Sequence, residues 1–131
     1  MYFKKQYFAI VVICAITIVG IAATKPPRSL HKNLKILPAD ISEKKLDSIM
    51  NSYNVALGVN CDFCHAPVQG FPDSLDFAVD TKPMKEEARK MMRMTIKLNT
   101  ENFYFDKAER PEYLKVVQCM TCHRGEAYPD L

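Results

Sequence analysis

Apolar residues fall along this chain in three patterns. Residues 7–23 are almost wholly apolar, broken only by Thr17 and Gly20. At about 1.5 Å rise per residue such a run is roughly 26 Å long as a helix, marginal for crossing a bilayer. Further on, Leu46, Ile49, Met50, Tyr53 and Leu57 recur at helical spacing. Asp40 followed by Glu43 makes a capping-box pattern ahead of them, and Gly58 supplies the stop. A second helical pattern opens at Thr81 with Pro83 in its first turn. Its apolar stripe is Met84, Ala88, Met91, Thr95 and Leu98, with Met91 near the middle and Met92 and Met94 on opposite flanks. Lys85, Arg89, Lys90, Arg93 and Lys97 mostly occupy the rest of the circumference. Asn99-Thr100 weakens this helix, and Phe103-Tyr104-Phe105 follows as an aromatic patch.

Between the two helices, Gln69-Gly70 and Phe71-Pro72-Asp73-Ser74 mark residues 68–80 as a loop. Its Phe71, Leu75 and Phe77 are expected to fill a core gap or cover the edge of a bound group. No stretch alternates convincingly as a strand does, so the expected fold is all-α and rich in loops.

Length and charge divide the chain further. Lys4 and Lys5 precede the apolar run, and Gly20, Ala22 and Ala23 are small enough for a processing site. Residues 1–24 therefore read as a signal peptide or a signal anchor, and either fate exports the rest of the chain. Residues 25–36 form a basic, Pro-containing linker with Lys25, Arg28, Lys32 and Lys35. It is a solvated spacer or a contact for lipid headgroups. Residues 37–131 make one small domain, which buries little apolar surface on its own. Without residues 1–24, 16 basic residues face 15 acidic ones. That near-balance excludes the electrostatic footprint of a nucleic-acid binder.

The cysteines carry the chemistry. There are five, and outside the apolar run all belong to two pentapeptides, Cys61-Asp62-Phe63-Cys64-His65 and Cys119-Met120-Thr121-Cys122-His123. Two thiols three apart followed at once by a histidine is the attachment signature of a c-type haem. The thiols add to the two porphyrin vinyl groups, and the imidazole turns onto the iron as proximal ligand. A zinc site is the main rival, since two Cys-x-x-Cys pairs can supply four thiolates. Here 54 residues separate Cys64 from Cys119, far beyond the roughly 15–20 of paired zinc knuckles. Two of the three histidines close the motifs, and the third, His31, lies in the basic linker and reads as a surface residue. The motifs thus imply two covalently bound haem c groups, with Cys61, Cys64, Cys119 and Cys122 in the thioethers and His65 and His123 on iron.

Each motif follows a helix with methionine on its apolar face. Met50 lies eleven residues before Cys61, and Met91 lies twenty-eight before Cys119. The two halves read as a degenerate repeat, one helix–turn–motif unit per haem. Met50 and Met91 are the candidate distal ligands, with Met94 and then Met92 in reserve. A thioether opposite the histidine would raise the potential and close the iron to small substrates. Core packing is the ordinary role of such a methionine. Arg124, next to His123, is a candidate partner for a haem propionate or an exposed residue closing a helix.

Three stretches resemble the multihaem cytochrome c subunit of photosynthetic reaction centres. They are the first motif; Ala88-Arg89-Lys90-Met91-Met92-Arg93-Met94-Thr95 with Leu98-Asn99; and Val117-Gln118 through the second motif to Arg124-Gly125. The resemblance spans about residues 37–125. In that family a helix supplies an axial methionine to the haem bound by the motif after it, which implies Met50 and Met91. The family subunit carries four haems, whereas this chain has two motifs, and residues 99–118 lack the histidine the family places there.

The expected protein is a di-haem c-type cytochrome carrying single electrons between redox partner proteins. It works on the periplasmic side of the cytoplasmic membrane, anchored or soluble after signal cleavage. It binds no nucleic acid and is no enzyme. The alternative, a di-haem peroxidase, needs one open iron with acid–base groups beside it, and the sequence offers no distal histidine for that role.

Overall fold

The computed structural model describes residues 31–130. The segment read as a signal or anchor, and the start of the linker, lie outside the described residues. Among the described residues no helix is long and apolar enough to cross a membrane.

Helix α1 covers Glu43–Leu57. Its cap is Ser42, whose hydroxyl accepts from the Lys45 amide at 3.3 Å, and not Asp40. Asp40 instead takes both terminal nitrogens of Arg110 at 2.8 and 2.9 Å. It thereby ties the approach to α1 to the segment that leads into the second motif. Gly58 ends the helix in the left-handed region, φ 64°.

The first motif follows as a single 3-10 turn, Cys61–Phe63. Beyond it the chain forms an antiparallel hairpin where a loop was expected. Strand β1 is Ala66–Val68 and β2 is Phe71–Asp76. Ala66 faces Asp76, Pro67 faces Leu75 and Val68 faces Phe71, with an irregularity between Pro67 and Val68. Pro67 and Pro72 can sit here because each strand of a two-stranded ladder is an edge, with one side needing no donor. Asp76 then closes the turn by accepting from the Ala78 and Val79 amides.

Helix α2, Pro83–Asn102, starts with proline in its first turn as expected. After it come a 3-10 turn at Pro111–Tyr113 and the short helix α3, Cys119–His123, which holds the second motif and ends at Arg124 with φ 53°.

Two expectations fail. The fold is not all-α, because the hairpin is built directly onto the first motif. Nor are there two equivalent helix–turn–motif repeats. The first motif is a 3-10 turn feeding a hairpin, whereas the second is an α-helical turn fed by extended chain and a 3-10 turn. The halves share the Cys-x-x-Cys-His spacing but neither the gap from Met to motif nor the backbone conformation.

The buried centre is small: Leu37, Ile41 and Met92, flanked by Leu34, Ile36, Leu46, Ile49, Met50, Tyr53 and Tyr113. Met92, 9% exposed, faces inward from α2, while Met91 is 41% exposed. The inward face of this helix is Lys85, Arg89, Met92 and Asn99, one step round from the expected stripe. Polar partners cause the rotation. Asp80 accepts from Arg89 at 2.9 Å, Lys85 at 3.1 Å and Lys35 at 2.6 Å, and from Asn33 at 2.9 Å. Lys85 also donates to the Phe77 and Val79 carbonyls at 3.0 and 2.6 Å. Charges that would not be buried alone are held because each is paired.

Those partners, Arg89 first, hold the Asp80 carboxyl far below its ordinary range. A depressed folded value contributes stability that is complete above the ordinary Asp value of about 3.9 and is lost as pH falls below it. Thermal melts should therefore drop steeply below about pH 4. Asp80→Asn should melt lower at pH 7 and show a flatter acid limb. An unchanged acid limb in the variant would remove Asp80 from this role.

At the other end of α2, Asn99 is 2% exposed. It does not end the helix. Its side chain donates to the Leu114 and Val117 carbonyls at 3.2 and 2.9 Å, and accepts from the Val117 amide at 2.8 Å. The extended segment entering the second motif is thereby fixed to α2 without a strand partner.

Candidate functional site

The two motifs are neighbours in space although 54 residues separate them in sequence. Helices α1 and α3 pack together. The Gly125 amide, just past the second motif, donates to the Ala56 carbonyl at 2.9 Å, at the end of the helix that feeds the first. Gly58 lies flat against Gly125 at this crossing. The tail returns over the first motif, where the Tyr128 ring meets Phe63 edge-on at 6.4 Å and its hydroxyl donates to the Met84 sulfur at 3.3 Å. Lys82 donates to the Asp62 carbonyl from the start of α2.

The four motif cysteines are free thiols. Cys61 and Cys122 are exposed, and Cys64 and Cys119 half-buried. Asn54 donates to the Cys61 sulfur at 3.4 Å. Burial pushes the Cys64 and Cys119 thiols up from their ordinary value, and Lys82 and Lys85 partly offset this at Cys64. Among the described residues, no three His, Cys, Asp or Glu side chains converge as a metal cage. The four thiols therefore do not share one zinc-like site.

The two histidines differ in their surroundings. His123 Nδ1 lies 2.9 Å from the Glu126 carbonyl. A proton on that nitrogen donates there and leaves the Nε2 lone pair for a metal, the usual way a backbone acceptor fixes the tautomer of a ligating imidazole. His65 Nδ1 is buried with no hydrogen-bond partner. The ring of Phe77 stands on that imidazole at 5.0 Å, edge to face. Burial, with Lys85 and Arg89 nearby, holds His65 below the ordinary imidazole value and favours the neutral form that can bind iron.

The outer face of α2 is mixed. Lys85 and Arg89 point inward, and Met91, Met94 and Leu98 are open on the outside among the exposed Glu87, Lys90, Arg93, Lys97 and Glu101. Phe71 and Phe77 of the hairpin region are open too, Phe77 at 62% exposure. So are Val116 and Met120 beside the second motif. Apolar surface next to each pair of thiols is what a porphyrin would cover. With free thiols at the attachment spacing and an available imidazole in each motif, the residues fit two covalent haems. Nothing ties Met50 to the outer face, since it packs half-buried against the Leu37–Ile41–Met92 cluster. Arg124 is exposed and forms no salt bridge among the described residues.

Asn99 and the Gly58–Gly125 crossing were not picked out from sequence as parts of the site. The signal for Asn99 was present, as a short amide residue inside a run of good helix formers, which needs a tertiary partner to be there.

A family model described as the photosynthetic reaction centre cytochrome C subunit matches residues 22–131. No curated protein matches the chain, and no solved structure does.

Proposed function

Since the chain belongs to the photosynthetic reaction centre cytochrome c subunit family, an electron-transfer family, we propose that it is a di-haem c-type cytochrome that carries single electrons between protein partners outside the cytoplasmic membrane. The observation that carries this reading is the pairing, at each Cys-x-x-Cys-His motif, of free thiols and an available imidazole with uncovered apolar surface.

Haem held in this way supplies a one-electron ferric–ferrous couple. The chain's residues do the rest. Cys61 and Cys64, and Cys119 and Cys122, fix each macrocycle through thioethers. His65 and His123 take the proximal positions, with the Glu126 carbonyl orienting His123. Phe77, Met94 and Leu98 cover apolar edges and exclude water, which narrows the contact to partners. Arg124, exposed next to His123, is available to a propionate. The apolar run at residues 7–23 serves as export signal or tether. The chain has two motifs where the family subunit carries four haems, so partners in a respiratory chain suit it as well as a reaction centre does.

Met50 and Met91 are proposed as the distal ligands. Met91 is open on the face of α2 turned away from the core, where a thioether can reach a covering haem, whereas Met92 is locked among Leu37 and Ile41; Met50, half-buried against the same cluster, has to turn out of it to reach an iron. Met91→His should lower the midpoint of one haem and leave the other nearly in place, because a thioether favours ferrous iron. Met92→Leu is a near volume-conserving core change that costs under about 1.5 kcal/mol and leaves both haems ligated. Redox titration with carbon monoxide binding checks this. If Met91→His moves neither midpoint while Met94→Leu opens an iron to carbon monoxide, Met94 is the ligand.

A further inference from the structure

We infer that Lys85, Arg89 and the bare Nδ1 of His65 set the haem at Cys61–Cys64 to a higher reduction potential than the haem at Cys119–Cys122, and that Asp80 limits the difference. This ordering rests on the di-haem reading and extends it to the direction in which the chain polarises its two sites.

Two separate observations point the same way. The first is charge. Lys85 and Arg89 are 8% and 6% exposed. Lys85 donates to the carbonyl of Phe77, whose ring packs on His65. Lys85 therefore stands one residue away from the first proximal ligand, and Arg89 meets it at Asp80. Lys35, Lys85, Arg89 and Arg93 share Asp80 and Glu86, so the cluster holds more cations than carboxylates, although Lys35 and Arg93 are half exposed and water screens part of their charge. Ferrous haem carries one positive charge fewer than ferric haem. An excess of positive charge in a poorly solvated place favours the reduced form.

The second observation is the hydrogen bond on each imidazole. At His123 the Nδ1 proton has the Glu126 carbonyl at 2.9 Å. Such an acceptor makes the ligand more basic and more donating toward iron, which favours ferric. His65 Nδ1 has no acceptor, so its imidazole donates less and ferrous iron is favoured. At the second motif Arg124 stands beside His123, but it is exposed and water screens its charge more than that of the buried Lys85 and Arg89. Charge and ligand basicity thus both place the first motif above the second, and an electron held by this chain resides mainly at Cys61–His65.

The test uses the full-length holoprotein and two substitutions of opposite charge effect, read by redox titration of the haem absorbance. Lys85→Gln keeps a donor for the Phe77 and Val79 carbonyls and removes the charge. Asp80→Asn removes the counter-charge. The upper midpoint should fall in Lys85→Gln and rise in Asp80→Asn. Each shift is expected to be about tenfold in the ferric–ferrous equilibrium, which is about 59 mV for one electron. The lower midpoint should stay in place in both. Arg89→Lys, which keeps the charge, should leave both midpoints unmoved. A merely structural role would loosen the cluster in either variant and move the midpoint the same way in both. Shifts of the same sign, or shifts confined to the lower midpoint, overturn the ordering. If Lys85→Gln does not fold, the sign in Asp80→Asn decides alone. A wild-type protein with two haems and a single unsplit midpoint also overturns the ordering, while leaving the di-haem reading intact. Fewer than two haems per chain overturns both.

Discussion

Gly58→Ala is expected to be the most damaging single-methyl change in the described part of this protein. Gly58 sits at φ 64°, where an L side chain costs about 1–2 kcal/mol. The larger cost is contact. A Cβ at Gly58 would overlap the Gly125 carbonyl oxygen and lie 3.0 Å from its carbon. Neither obstacle is a flexible side chain that could swing away; both are backbone. Relief requires the crossing to open, which breaks the Gly125 to Ala56 hydrogen bond. Overpacking of this kind adds roughly 1–3 kcal/mol. Together these take a large share of a stability that is about 5–15 kcal/mol for a domain of this size. Gly125→Ala is the control, because φ is 96° there but nothing lies within 4 Å of the added carbon. It should cost strain alone. In thermal melts Gly58→Ala should fall well below Gly125→Ala; equal melting points would mean that the crossing does not form. Since the crossing holds the end of α1 against the second motif, Gly58→Ala should also lower haem content at both motifs.

Asn99→Leu should produce the second large effect, more selectively. The leucine keeps the branch point and heavy-atom count of asparagine but is bulkier, so the loss of polarity is joined by some overpacking. It strands the Leu114 carbonyl and the Val117 carbonyl and amide in a buried place. A stranded buried group costs about 1–3 kcal/mol, reduced wherever water can enter. Val117 lies two residues before Cys119, so the segment released is the one that presents the second motif for attachment. The expected product is a destabilised chain with a full first site and a poorly occupied second site. Mass spectrometry of haem-bearing peptides after digestion reads this directly. Equal loss at both sites would show that Asn99 supports the fold generally and not the second motif.

What could be read from the sequence divides along physical lines. The two Cys-x-x-Cys-His motifs stand out in the sequence because haem attachment would fix their spacing whatever fold surrounds them, and the family the chain belongs to is a cytochrome c one. Helix α2 was legible because Pro83 and the sustained 3.6-residue period act locally. Its orientation was not. Counting apolar residues on a wheel placed Met91 inward, but Asp80 and the Leu114–Val117 backbone drew Lys85, Arg89 and Asn99 to that side. Those partners are distant in the chain or lie outside the helix, so no periodicity reports them. Part of the apolar stripe, Met91 and Leu98, is then exposed instead of joining the core. The hairpin was missed because Pro67, Gly70 and Pro72 read as loop residues, and a two-stranded ladder with open sides has no apolar–polar alternation to reveal it. The repeat was over-read: both halves place a Met-bearing helix before a Cys-x-x-Cys-His motif, but at gaps of eleven and twenty-eight residues, and the two motifs have different backbone conformations.

The central claim is that both motifs carry haem. Intact-mass measurement of the protein purified from a host able to attach c-type haem tests it most directly, with the absorbance of the same sample. The mass should exceed that of the processed polypeptide by two haem masses, and digestion should place one on the peptide with Cys61 and Cys64 and one on the peptide with Cys119 and Cys122. A mass equal to the bare chain, or to the chain with zinc, would contradict the account.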